Sequence, residues 1–138
     1  MSAASQSRTR SFARVMGPFL LIVPAIVAIR APSPEMGTIL ADFFRNAALV
    51  WITGAWILFF GLLIIAFHQY WSSVSAVLIS LFGWYMALRG IVLLAAPDLY
   101  ARAGAASMHH MLFVQIGFGV IVLIGLWLTF AGWIARDA

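Results

Sequence analysis

Residues 47–71 read AALVWITGAWILFFGLLIIAFHQYW. The run 47–67 carries no charged side chain, and at about 1.5 Å per residue a helix of this length crosses roughly 30 Å of hydrocarbon. His68, Gln69, Tyr70 and Trp71 close it with the polar and amphipathic aromatic side chains that collect at a membrane–water boundary. Only a helix or a closed barrel satisfies its own backbone in lipid. An unbroken apolar run of this length therefore reads as a transmembrane helix.

Three further runs repeat the pattern. One covers residues 74–96 and is stopped by Pro97; another covers 111–135, ending near Trp133, Arg136 and Asp137. The connection after Trp71 is very short, which makes the second and third spans antiparallel neighbours. The first run, residues 12–30, follows a polar, basic stretch and so also has the outline of a signal peptide. Arg30 stands where a cleavage site needs small residues, and no A-x-A precedes it, so retention as a membrane helix is the reading taken. Pro24 is expected to kink it. Residues 1–11 read as a disordered basic tail, and 12–138 as one transmembrane domain.

The whole composition agrees. Of 138 residues, 64% are hydrophobic and 9% charged, against about a quarter charged in a soluble domain. There is no cysteine, which excludes disulfides and thiolate chemistry. The net charge is +4 and every basic residue is Arg. These arginines are scattered rather than clustered, so a membrane surface or anionic lipid fits as partner and nucleic acid does not.

The two longer connections carry pattern. Within residues 33–46, Met36, Ile39, Leu40, Phe43 and Phe44 recur at helical spacing opposite Glu35, Thr38, Asp42 and Arg45, which predicts a short amphipathic helix in the interface plane. Residues 98–110 repeat this more weakly, with Asp98, Arg102 and His109 polar and Leu99 and Tyr100 inward. Ala31-Pro32 and Ala96-Pro97 then mark corresponding points of two repeated hairpins, with Gly54, Gly61 and Trp71 answered by Gly117, Gly125 and Trp133. Coincidence in an apolar sequence is the competing explanation. Both hairpins would share one orientation.

Small or kinking residues recur seven apart in every span: Gly17 and Pro24, Gly54 and Gly61, Gly83 and Gly90, Gly125 and Gly132. Each set falls on one helix face. Lipid is as apolar as Leu, so close backbone approach has to hold such helices together. These glycines read as packing sites, some of which could face another subunit.

An even number of spans puts both ends on one side. Arg8, Arg10, Arg14 and Arg136 lie there, against Arg30, Arg45 and Arg102 opposite. The bias places both termini in the cytoplasm, weakly enough to leave dual insertion open.

Arg89 is the sharpest residue. It lies roughly 12 Å inside the end of the third span, where a charge costs about 2.5 kcal/mol or more by insertion scales. Snorkelling to the interface is the ordinary explanation. A ligand or lipid-headgroup site is the other, with Gln115 and Thr53 at a similar depth. The histidines do not form a haem or metal site, because His68 and the pair His109–His110 fall on opposite sides of the membrane; all three read as interfacial. No span carries a mid-membrane carboxylate, and no nucleophile–base set or phosphate loop is visible.

The segment from Gly83 through Leu94-Ala95-Ala96-Pro97-Asp98-Leu99-Tyr100 and Arg102 to Gly117 and Gly125 resembles small bacterial inner-membrane proteins of unknown function. Those are built as helix, Ala-Pro, amphipathic stretch, Gly-rich helix. The resemblance covers about half the chain and implies a bacterial inner membrane, with no activity attached. Pro24 stands where Arg89 would align in the first half, so no site carries over.

The expectation is thus an all-α, four-span bundle with short interfacial helices, no cofactor or metal and no catalytic activity. It would serve as a structural or accessory subunit, or a homo-oligomer, working through helix–helix and lipid contacts. A small homo-oligomeric channel or transporter with an Arg-lined anion path is the alternative.

Overall fold

The computed structural model describes residues 3–135, which form helices joined by short connections, with no strand among them. The order is α1 (Ala3–Arg30), α2 (Pro34–Arg45), α3 (Ala47–Phe67), α4 (Val74–Ala95), α5 (Pro97–Ser107) and α6 (Met111–Trp133), with a 3₁₀ turn, Met108–His110, before α6. Arg136 and Asp137, used above to fix the last boundary and the charge count, lie outside the described residues.

The breaks between helices are local chemistry. Pro97 offers no N–H and pushes Ala96 out of the helical region, to φ −143°, which ends α4. Pro34 and Pro97 then each open a new helix, where their missing N–H costs nothing. The Asn46 side chain accepts from the Leu49 N–H at 3.2 Å and caps α3, while Ser73 accepts from the Ala76 N–H at 3.2 Å and caps α4. By contrast α1 passes through both Pro18 and Pro24 as one helix. Four segments are long and apolar enough to cross a bilayer: Ser5–Arg30, Ala47–Phe67, Val74–Ala95 and, within Pro97–Trp133, α6.

The long helices associate as two antiparallel pairs, α1 with α6 and α3 with α4. A Cβ placed on Gly90 would come within 2.5 Å of the Leu58 backbone, and one on Gly61 would collide with the backbone nitrogen of Ala87. Gly83 lies against Ile64, and Gly54 against Leu94. In the other pair, Gly17 meets Thr129 and Leu128, Gly125 meets Leu20 and Leu21, and Gly132 meets Ala13 and Arg14. No described glycine has a positive φ, so size rather than backbone freedom is what these positions use.

The hairpins suggested by the sequence are not the packing units. Each pair takes one helix from each half of the chain. The contacts nevertheless recur on exchange of the halves: Gly61 against Ala87 is answered by Gly125 against Leu21, and Gly83 against Ile64 by Gly17 against Leu128. The pairs meet chiefly through α1 and α4. There Ala13, Met16, Leu20, Ile64, Ile79 and Leu128 form a common core in the half of the molecule nearer the described chain ends. Most large apolar side chains point outward instead, among them Trp51, Trp56, Phe59, Trp84 and Phe113.

At the other end α2 lies on α5, with Leu40 against Gly104. Met36, Leu40, Phe43 and Phe44 are half-buried, whereas Glu35, Thr38 and Asp42 are exposed. Leu99 is exposed rather than inward. The exposed ion pairs Arg30–Glu35 (3.9 Å) and Arg45–Asp42 (3.4 Å) contribute little, at most about 1 kcal/mol each.

Candidate functional site

The basic stretch expected as a disordered tail is helical from Ala3; Met1 and Ser2 lie outside the described residues. The cause is a set of polar contacts that tie this first part of α1 to both pairs. At their centre is His68, whose ring is completely buried among protein side chains. Its N–H still donates to the Ile64 carbonyl at 2.7 Å, but its backbone is extended (φ −140°), which ends α3 and turns the imidazole in under α1.

Both ring nitrogens are engaged. Nε2 lies 3.0 Å from Thr9 Oγ1, and Nδ1 lies 3.3 Å from Ser80 Oγ. Thr9 donates its hydroxyl proton to the Ser5 carbonyl at 2.9 Å, so its oxygen accepts from Nε2–H. Ser80 faces the Tyr70 carbonyl at 3.0 Å and the His68 carbonyl at 3.3 Å, as well as Nδ1. It has one proton for three acceptors. The rings of Phe12 and Tyr70 close on the imidazole edge-to-face, each centroid at 5.3 Å. Burial lowers the His68 pKa below its ordinary value, opposed more weakly by its own backbone hydrogen bond. His68 lies just beyond the last residue of the α3 span.

A second cluster lies at the end of the α1–α6 pair. Arg14 Nε donates to the Gly132 carbonyl at 2.9 Å, and Arg10 Nε to the same oxygen at 3.2 Å. Trp133 Nε1 donates back to the Arg14 carbonyl at 3.2 Å, and the Arg14 guanidinium lies 5.8 Å from the Trp133 ring centre. Two cations thereby cap the negative end of α6.

The residues singled out from the sequence each have their own surroundings. Arg89 is exposed on α4 and reaches along the helix to the Tyr100 ring, 5.7 Å from its centre. Gln115 is exposed on α6 and makes a long, 3.5 Å contact with the Ala28 carbonyl of α1. Thr53 is half-buried on α3. His109 and His110 are exposed at the end opposite His68. Among the described residues no group of three or more His, Cys, Asp or Glu could hold a metal. The surface hollows are shallow, one lined by Ala106, Ser107, His110, Phe113 and Val114, another by Ile52, Ala55, Trp56 and Phe59. Ser107 and His110 both line the first, where Ser107 Oγ donates to the Ala103 carbonyl at 2.7 Å; the second is lined by apolar side chains alone.

The buried contact of His68 with Thr9 and Ser80 escapes a linear reading, since its members come from three separate helices or their ends. Its one local signal is Ser5, Thr9 and Ala13, small residues four apart that mark one face of α1.

The glycine environments also divide. The seven glycines of the four long helices discussed above all close on a neighbour, whereas a Cβ on Gly117 or Gly119 would meet nothing within 4 Å. No residue of α6 from Met111 to Ile124 is buried. Comparison with protein-family models, curated proteins and solved structures found no match to this chain.

Proposed function

We propose that this chain is a small, non-catalytic, multi-pass protein of the bacterial inner membrane that acts as a structural or accessory subunit through helix–helix and lipid contacts. The observation that carries this reading is the first half of α6. It leans chiefly on α1, buries no side chain and leaves Gly117 open on one face with Phe113, Ile116 and Val120, while Gly119 is open on another side of the helix. Helices in lipid associate through such small residues, so this face suits a further helix from a partner or a second copy.

In this reading the four apolar helices span the bilayer, α2 and α5 lie at its outer surface, and both termini are cytoplasmic. The alternative anion channel would need Arg89 to line a path. Its reach toward Tyr100 instead fits a guanidinium snorkelling to the α5 end.

Purification in mild detergent tests the proposal. The chain should run as an oligomer or bring a partner protein with it, and Gly117→Leu should reduce that association. A wild-type chain that always runs alone as a monomer would overturn it.

A further inference from the structure

We propose that Arg10 and Arg14, fixed on the Gly132 carbonyl beside Trp133, bind the phosphate of an anionic lipid headgroup; this rests on the membrane reading above. The two Nε atoms share one oxygen, at 3.2 and 2.9 Å, so these two nitrogens can be no further apart than the sum of those distances. Two like charges held this close repel each other, and a single carbonyl dipole does not neutralise them.

Nor, among the described residues, does a carboxylate. The described ion pairs are Arg30–Glu35 and Arg45–Asp42; the third described acid, Asp98, opens α5. None of the three lies at this end of the molecule. Each Arg spends its Nε on the carbonyl, which leaves the paired Nη groups of both without a partner among the described residues. That is the planar fork that recognises phosphate oxygens.

The surroundings suit a lipid rather than a soluble anion. Arg14 and Trp133 are exposed, and Trp133 is the amphipathic ring type found at headgroup depth. Val15, Phe19, Trp127 and Phe130 extend the exposed surface with apolar side chains along the same pair, where acyl chains would run. A basic group near an anionic leaflet contributes about fivefold in binding, so two contribute about thirtyfold.

The test is native mass spectrometry of the full chain titrated with phosphatidylglycerol or phosphatidylcholine, with membrane insertion measured separately by resistance to alkaline extraction from vesicles. Wild type should hold phosphatidylglycerol in preference to phosphatidylcholine. Arg10→Gln/Arg14→Gln should lose that preference by about thirtyfold. Arg30→Gln/Arg45→Gln, an equal charge change at the other end, should keep it. Arg10→Lys/Arg14→Lys retains the charge without the fork and should weaken it only several-fold, even if the Gln variant misfolds. Asp137, outside the described residues, is the one acid close in sequence, and Asp137→Asn should keep or raise the preference.

Displacement of the lipid by millimolar inorganic phosphate would assign the pair to a soluble anion and overturn the lipid site. An inserted chain without headgroup preference would also overturn it. A chain extracted by alkali would overturn the membrane reading beneath it.

Discussion

The two helix pairs use the same device with different completeness. In α3–α4, Gly54, Gly61, Gly83 and Gly90 are all closed against the partner helix, from one end of the pair to the other. In α1–α6, Gly17, Gly125 and Gly132 are closed, but Gly117 and Gly119 in the same helix face open space. In a soluble protein the hydrophobic stripe would say which face turns inward. In these helices it does not, because outward and inward faces are equally apolar. Where such a helix meets protein is then decided by how closely its backbone can approach a neighbour.

The largest effect is expected where the approach is tightest. Gly61→Ala places a methyl group into the backbone of Ala87, which cannot move as a flexible side chain would. It should cost about 3 kcal/mol or more and appear as a large fall in thermal unfolding temperature in detergent. An unchanged melting curve would show that α3 and α4 do not pack at this register.

Next in size is the buried histidine, which joins the two pairs. His68→Ala removes a ring held between Phe12 and Tyr70 and its bonds to Thr9 and Ser80. The expected loss is about 2 kcal/mol. The same group sets a pH dependence. Its folded pKa is lowered by burial, so the unfolded chain takes up the proton first as pH falls. The stabilisation is complete above about pH 6.5 and is lost below it, at no more than about 1.4 kcal/mol per pH unit. His68→Asn should flatten that slope in urea or thermal melts recorded from pH 7.5 to 5; a slope equal to wild type would place the titration elsewhere.

How much of this was legible in the sequence depended on the length scale of the signal. The four candidate spans are written in runs of apolar residues longer than any soluble core needs, and Pro97 marks a helix boundary by removing one N–H. Seven-residue glycine spacing marked a face on each helix but not what that face meets; Gly117, eight residues before Gly125, entered only as the counterpart of Gly54, which is enclosed, whereas Gly117 is open. His68 illustrates the same limit. A histidine after an apolar run resembles an interfacial residue, and its burial depends on Thr9, fifty-nine positions away. The helical start of α1 was hidden for a related reason, since its anchors, Gly132 and His68, lie far along the chain.

A smaller effect is expected at Arg89. Arg89→Leu gives up a cation–π contact with Tyr100, worth about 0.5–1 kcal/mol at an exposed site, and removes a charge that the span must otherwise lead to its end. The two terms oppose each other, so stability should change by less than about 1 kcal/mol. Assembly should be unchanged and liposomes should show no difference in anion flux. Lost flux with intact assembly would instead favour the channel.

The smallest effect on the isolated fold is expected at Gly117, and it sharpens the comparison between the pairs most directly. A Cβ there meets nothing within 4 Å, and Ala is the better helix former by about 1 kcal/mol in water. Gly117→Ala should therefore leave monomer stability within about 0.5 kcal/mol of wild type or raise it slightly, opposite in sign to Gly61→Ala. If the open face of α6 receives another helix, the added methyl should weaken that association while the melting temperature of the dissociated chain holds. Analytical ultracentrifugation in detergent separates the two quantities. Equal destabilisation of the monomer by both alanines would mean that α6 is as enclosed as α3, and the asymmetry between the pairs would disappear.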